Sequence, residues 1–134
     1  FKPDRTKVVQ AMVNLPQLNI LDVETGQTVG YRMKGGPDFT IFEGTGEIKK
    51  YYTRVQADDN YIYTLYWGKE RWKHFEVPYM NIIHVYDWYG NLVQKIETDR
   101  GIDQMWIDPT RNRLYVTSPK VDDIFYLDLD SIWD

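Results

Sequence analysis

An internal repeat constrains the fold of this chain more than any other feature of its sequence. The first copy, 1–22, aligns without gaps with the last, 107–128, and a middle copy begins at residue 55. The matching stretches are FKPDRTKVV with IDPTRNRLY, and LNILD with IFYLD; the middle copy reads VQADDNYIY and resumes with IHVYD. Repeats of this kind are typical of arrays of one small structural unit.

Each copy contains short apolar runs that end at Gly, Pro, Asn or Asp, a pattern that predicts short antiparallel strands. Four strand positions, A to D, recur along the chain. The predicted strands are A at 51–56 and 102–108, B at 8–13, 61–67 and 114–117, C at 18–22, 82–87 and 124–128, and D at 27–33 and 91–97. The chain therefore reads B, C, D; A, B, C, D; A, B, C. The one predicted helical turn lies around 68–73.

A recurring four-strand unit of about 40–45 residues is the size of a β-propeller blade. We therefore predict an all-β fold: one partial β-propeller domain of about three four-stranded antiparallel blades, at about 1–35, 48–98 and 101–134. An immunoglobulin-like sandwich also has short, regularly spaced strands. It does not predict the register that recurs through Pro3 and Pro109 or through Asp22 and Asp128.

The phrases DPTRNRLYVT and IFYLD resemble the blades of TolB-like six-bladed propellers, and YIYTLYWG is more weakly similar to the YWTD and NHL types. The resemblance covers most of the chain, and is to the C-terminal half of such a protein from a Bacteroides-type bacterium. Many of these proteins are exported and have no known activity. The resemblance thus implies the periplasm or cell surface of a Gram-negative bacterium.

About three blades do not close a six-bladed ring. Phe1 is not an initiator Met and the sequence begins inside a repeat, which leads us to expect a processed or excised piece of a longer product. An open array leaves sheet edges and faces uncovered in water. Either the missing half of the propeller or self-association of this chain is expected to close the ring.

Composition excludes several classes of function. The 134 residues carry 16 basic and 20 acidic side chains without a basic stripe, which argues against nucleic acid as a partner. No apolar run is long enough to span a membrane. The absence of cysteine excludes disulfides and thiolate-bound metals, and two histidines are too few for a zinc site or a His-based triad. No cofactor and no metal are predicted.

The copies differ in length at two places, and insertions in repeats map to loops that often carry function. About 11 extra residues lie within 68–80, between B and C of the middle copy, and about 13 lie within 35–48, between D and A. Antiparallel strands reverse at each turn, which brings both insertions to one face. The candidate ligand-binding residues on this face are Asp38, Phe39, Arg71, Trp72, His74, Phe75, Tyr79 and Arg100.

In this interpretation Trp72, Phe75 and Tyr79 stack on a sugar or grip a peptide, while Arg71 and His74 orient polar groups. The sequence does not distinguish a carbohydrate ligand from a peptide or protein ligand. The alternative is that the loops pack over a blade edge or contact the rest of the ring. The sequence predicts a non-catalytic binding or protein-interaction module.

The competing class is a propeller hydrolase or lyase with a metal in the central channel, completed by further blades. Within this chain the channel end of the A strands offers only Asp103, Gln104 and Arg54.

Two further sets of residues have structural interpretations. Asp22, Asp87 and Asp128 recur at one blade position, which predicts that they accept backbone hydrogen bonds in turns. The aromatic residues that alternate along strands are predicted to pack between blades, as at Tyr61, Tyr63, Trp106 and Tyr126.

Overall fold

The computed structural model describes residues 1–44, 46, 48–70 and 79–133. It contains ten strands and two short 3₁₀ helices, Phe39–Glu43 and Leu129–Trp133. The strands are β1 (Lys7–Ala11), β2 (Gln17–Asp22), β3 (Thr28–Arg32), β4 (Lys49–Ala57), β5 (Tyr61–Glu70), β6 (Ile82–Asp87), β7 (Leu92–Glu97), β8 (Gln104–Asp108), β9 (Arg113–Ser118) and β10 (Val121–Asp128).

The strands form three antiparallel sheets in which sequence neighbours are also spatial neighbours. The first sheet is β1–β2–β3, the middle sheet β4–β5–β6–β7, and the last sheet β8–β9–β10. The described strands therefore confirm the predicted order of B, C, D, then A, B, C, D, then A, B, C. The all-β fold of a partial propeller is confirmed with it.

Several predicted strand bounds differ from the structure, and two differences change the assignment of a segment. A helical turn was predicted around 68–73, but Gly68–Glu70 extend β5 as a strand, in which Lys69 and Glu70 pair with Lys50 and Lys49 of β4. The rest of that prediction, 71–73, lies outside the described residues. The backbone N–H and C=O groups at this end of β5 bond to a neighbouring strand, and the local sequence does not reveal that partner. In addition, β10 begins at Val121 rather than Ile124, across a β-bulge against β9.

The recurring aspartates hold turns, as predicted. The Asp22 carboxylate accepts hydrogen bonds from the backbone N–H of Glu24 and Thr25, both at 3.0 Å. Asp87 accepts from Tyr89 and Asn91, both at 2.9 Å, and Asp128 accepts from Asp130 at 3.1 Å. The bond from Thr25 is the main cause that lowers the pKa of Asp22.

The core lies on both faces of the middle sheet. Because side chains alternate along a strand, Ile62 of β5 faces the first sheet while Tyr63 and Leu65 face the last. Between the first and middle sheets are Leu18, Ile20, Tyr51, Tyr52, Ile62, Tyr86 and Trp88. Between the middle and last sheets are Tyr63, Leu65, Met80, Ile83, Val85, Ile102, Met105, Leu114, Val116 and Leu129.

The prediction that aromatic residues alternating along the strands pack between blades is correct for only two of the four residues named. Tyr63 is buried and Tyr61 packs against the same core, where its ring lies 4.6 Å from that of Trp133. Trp106 and Tyr126 are instead exposed. They occupy paired positions with Tyr115 on the outer face of the last sheet, on which no further sheet packs among the described residues.

A buried histidine lies at the junction of the first and middle sheets. His84 is 1% exposed, its ring stacks on that of Tyr66 at 4.1 Å, and Nδ1 lies 3.3 Å from the Tyr52 hydroxyl. The Tyr52 hydroxyl also hydrogen-bonds the Tyr86 hydroxyl. Among the described residues, His84 Nε2 has no hydrogen-bond partner. Burial, helped by the charge of Lys95, lowers the pKa of His84 to about 4.

This low pKa predicts a loss of stability in acid. The unfolded histidine titrates near pH 6.5, and the folded ring resists protonation until about pH 4. His84 therefore contributes its full stability above pH 6.5 and loses it as pH falls from 6.5 towards 4. The free energy of unfolding should drop by roughly 2–3 kcal/mol more in the wild type than in His84→Gln between pH 7.5 and 4.5.

Urea denaturation at a series of pH values measures this difference. Carboxylates titrate in both proteins, and the comparison with His84→Gln removes their contribution. Parallel stability profiles for the two proteins would contradict the prediction.

Candidate functional site

Strands β1, β3, β5, β7 and β9 all end at one side of the three sheets, which we call the loop end. Antiparallel pairing requires this arrangement, since each of these strands runs towards the same side. Hydrogen bonds tie the segments at this end together. The backbone N–H of Tyr51 donates to the Val13 carbonyl at 2.6 Å, and the Tyr79 hydroxyl donates to the Asp99 carbonyl at 2.9 Å.

At one side of the loop end, Asp38 and Phe39 begin the 3₁₀ helix Phe39–Glu43. Asp38 is its N-cap and accepts hydrogen bonds from the backbone N–H and the hydroxyl of Thr40. These bonds, the hydroxyl's first, lower the pKa of Asp38. Phe39 is exposed, and the Arg32 guanidinium lies 5.4 Å from its ring centroid. Asp38 thus organises its own turn, while Phe39 presents an aromatic surface to solvent.

Tyr79 and Arg100 are brought together on two segments that hydrogen bonds connect. Asn81 and Thr98 exchange bonds: the Thr98 N–H donates to the Asn81 carbonyl at 2.9 Å, and the Asn81 amide donates to the Thr98 carbonyl at 3.1 Å. The Ile102 N–H donates to the Met80 carbonyl at 2.7 Å. These bonds hold the β7–β8 connection against the residues that enter β6.

The ring of Tyr79 lies across this connection in a fixed position. Its hydroxyl is held by the Asp99 carbonyl, and its ring packs over Gly101. A Cβ on residue 101 would come within 3.1 Å of the ring, which is closer than ordinary packing allows. The side chain is nevertheless 58% exposed. Tyr79 is therefore an aromatic surface that faces solvent and is held by one hydrogen bond and one packing contact.

A cleft of about 350 Å³ opens beside Tyr79. One wall is Asp99–Gly101 of the β7–β8 connection, and the other is Ser118–Val121 around the β9–β10 turn. Its size is at the lower end of the roughly 300–1,000 Å³ typical of small-ligand sites. The cleft thus combines a rigid aromatic platform with the cationic side chains of Arg100 and Lys120.

The family model described as TolB-like 6-blade propeller-like matches residues 1–110. This chain belongs to the TolB-like family. The match agrees with the three antiparallel sheets and with the blade pattern of the repeats. No curated protein and no solved structure matches the chain.

The eight candidate ligand-binding residues of this TolB-like chain include four that the structure does not describe and four that form two groups. Arg71, Trp72, His74 and Phe75 lie outside the described residues. Within the described ranges, no hydrogen bond, ion pair or ring contact joins Asp38 or Phe39 to Tyr79 or Arg100. The loop end therefore presents two separate groups, of which only the one at Tyr79 lines the cleft.

The channel side of this TolB-like chain carries the polar residues considered for a metal-dependent enzyme. The Arg54 Nε donates to Gln104 Oε1 at 3.1 Å, linking β4 to β8, and the Asp103 N–H donates to the Thr117 carbonyl. Register shifts in β4 on either side of Tyr52 turn Arg54 towards the last sheet. Among residues 1–44, 46, 48–70 and 79–133, no group of three or more His, Asp, Glu or Cys side chains is positioned to hold a metal ion. No helix in the same ranges is long and apolar enough to cross a membrane.

Several cleft residues were not among the sequence candidates. Gly101 and Ser118–Val121 complete the site with Tyr79. The β9–β10 turn is the B-to-C connection of the last copy, and strand alternation puts it at the same end as the insertions, which is a signal for its participation. Nothing in the sequence indicates that Tyr79 packs on Gly101, because the two are far apart along the chain.

Substituting Gly101→Ala should move the Tyr79 ring without unfolding the protein. The added Cβ would crowd the ring, and the exposed ring can swing into solvent to relieve that contact. We expect NMR chemical-shift changes centred on residues 79–81 and 98–102. The matched control is Gly46→Ala, since a Cβ there meets nothing within 4 Å. Equal and minor changes at Tyr79 in both variants would show that Gly101 does not position the ring.

Proposed function

We propose that this TolB-like chain is a non-catalytic binding module whose ligand face is the loop end. The observation that carries the proposal is the cleft beside Tyr79. Its aromatic wall is exposed and is held in one position by the hydroxyl bond to Asp99 and the packing on Gly101. A ligand that stacks on this ring would not bear the entropic cost of ordering it.

The ligand is a carbohydrate or a peptide, because both present flat or apolar groups together with hydrogen-bonding groups. Phe39 adds a second exposed aromatic ring at the same end of the sheets. Arg71, Trp72, His74 and Phe75 belong to this ligand face in our proposal, on the basis of their place in the enlarged β5–β6 connection. We also propose that the domain divides into three blades, at about 1–35, 48–98 and 101–134.

The module is proposed to act outside the cytoplasm, in the periplasm or at the cell surface. Membership of the TolB-like family supports this location, because that family is typically periplasmic.

Glycan and peptide arrays probed with the purified chain test the proposed function. Ligands found in this way should bind Tyr79→Ala at least about tenfold more weakly, since truncating a central aromatic contact typically costs about 2 kcal/mol or more. The matched control is Tyr89→Ala. Tyr89 is also an exposed tyrosine, but it lies in the β6–β7 turn at the opposite end. An array without hits, or hits that lose equal affinity in both variants, would contradict the proposal.

We also propose that the outer face of the last sheet is covered in the functional protein, by further blades or by a second copy of the chain. Trp106, Ile124 and Tyr126 expose apolar surface on the last sheet, and β10 presents its outer edge. Exposed apolar surface and open strand edges favour association.

Light scattering on the isolated chain tests this partner proposal. The apparent mass should rise above 16.0 kDa as concentration increases, because the apolar face can then pair with another copy. Ile124→Lys should reduce this association, since a charge disfavours burial of the face. The control Leu92→Lys places the same charge at an exposed apolar position on the middle sheet. A wild-type monomer at all concentrations would refute the proposal.

A further inference from the structure

The charges around the Tyr79 cleft differ from the acidic balance of the whole chain. The chain carries four more acidic than basic side chains, whereas the cleft is lined by Arg100, Lys120 and a single acidic residue, Asp99. Local charge, rather than net charge, determines which ligand a cleft favours at close range. The lining therefore favours an anionic ligand.

Arg100 is held so that its donors remain available. Its guanidinium carbon lies 4.1 Å from the centroid of the Phe125 ring, a cation–π contact. The nearest carboxylate oxygen, on Asp99, is at 4.0 Å, and the Asp99 side chain is 91% exposed. Within the described part of the chain, the Arg100 side chain donates no hydrogen bond. A guanidinium that stacks on an aromatic ring can still bind a carboxylate with two parallel N–H bonds.

The positions of the aromatic and cationic groups are coupled. Tyr79 bonds to the carbonyl of Asp99, the residue before Arg100, and packs on Gly101, the residue after it. The Thr98 hydroxyl donates to the Arg100 carbonyl at 2.6 Å and fixes the same turn. The backbone that carries Arg100 is thus tied to the Tyr79 ring before any ligand binds, which favours recognition of two groups of one ligand at once.

We infer that the ligand of this cleft is an acidic saccharide, whose sugar ring lies on Tyr79 and whose carboxylate is bound by Arg100. This inference rests on the proposed function and adds the chemical class of the ligand. A uronic acid combines a ring with apolar C–H faces and one carboxylate, matching the two fixed groups. The volume of about 350 Å³ suits a ligand of one or two sugar rings. Lys120, on the opposite wall, adds a second positive charge.

Matched acid and ester ligands test the inference. The probes are oligosaccharides of galacturonate, mannuronate and glucuronate, each paired with its methyl-esterified form, titrated into the purified chain by calorimetry. The ester keeps the sugar ring and removes the negative charge. At least one acid form should bind at least about tenfold more tightly than its ester, because hydrogen bonds to charged groups are the stronger ones.

Two substitutions assign this preference to Arg100. Arg100→Gln should reduce the preference for acid over ester to near unity, while Arg100→Lys, which keeps the charge but not the planar donors, should retain part of it. The control is Arg111→Gln, an exposed arginine in the β8–β9 turn at the opposite end of the same sheet. Thermal melts of all variants check that each remains folded.

The outcomes separate the inference from the proposed function. Equal binding of acids and esters, no binding of any uronate, or an acid preference that persists in Arg100→Gln would each overturn the inference. Array ligands that still depend on Tyr79 would then leave the binding function standing. If no array ligand depends on Tyr79, the proposed function fails, and the inference fails with it.

Discussion

The middle sheet is the element on which the rest of the molecule depends, because both of its faces are buried. Thr64 and His84 lie on the side of the first sheet, while Leu65 and Val85 lie on the side of the last. A slip of one residue in β5 or β6 would exchange these two sets, and neither interface could then form. The two cores are therefore coupled through one strand register.

The interface between the first and middle sheets also contains polar groups. Tyr52, His84 and Tyr86 bring hydroxyl and imidazole groups into a buried site, where most can bond to one another. The Thr64 hydroxyl donates to the His84 carbonyl at 2.8 Å and satisfies a further polar group. Among the described residues, His84 Nε2 is the exception, because it has no hydrogen-bond partner. Burial lowers the pKa of this ring and makes the interface sensitive to acid. The second interface is more uniformly apolar.

The candidate site is built on the same framework but at its edge. β6 and β8 are fixed by the core, and the segments that lead into them are joined by bonds between Asn81 and Thr98 and between Met80 and Ile102. Met80 and Ile102 are themselves buried. The exposed pair, Tyr79 and Arg100, thus projects from backbone that the core holds in place.

The sequence by itself determined the features that depend on local chemistry. Side-chain alternation with a period of two, and aspartate turns such as those at Asp22 and Asp87, depend on only a few consecutive residues. The repeat shows the same patterns in each copy, which strengthens their prediction. Only the tertiary structure decided which faces are covered, that β4 shifts register beside Tyr52, and that Tyr79 rests on Gly101. These features depend on contacts between residues distant along the chain. Trp106 is an example: its alternating position in the sequence predicts burial, but it is exposed, because burial depends on which sheets lie next to it.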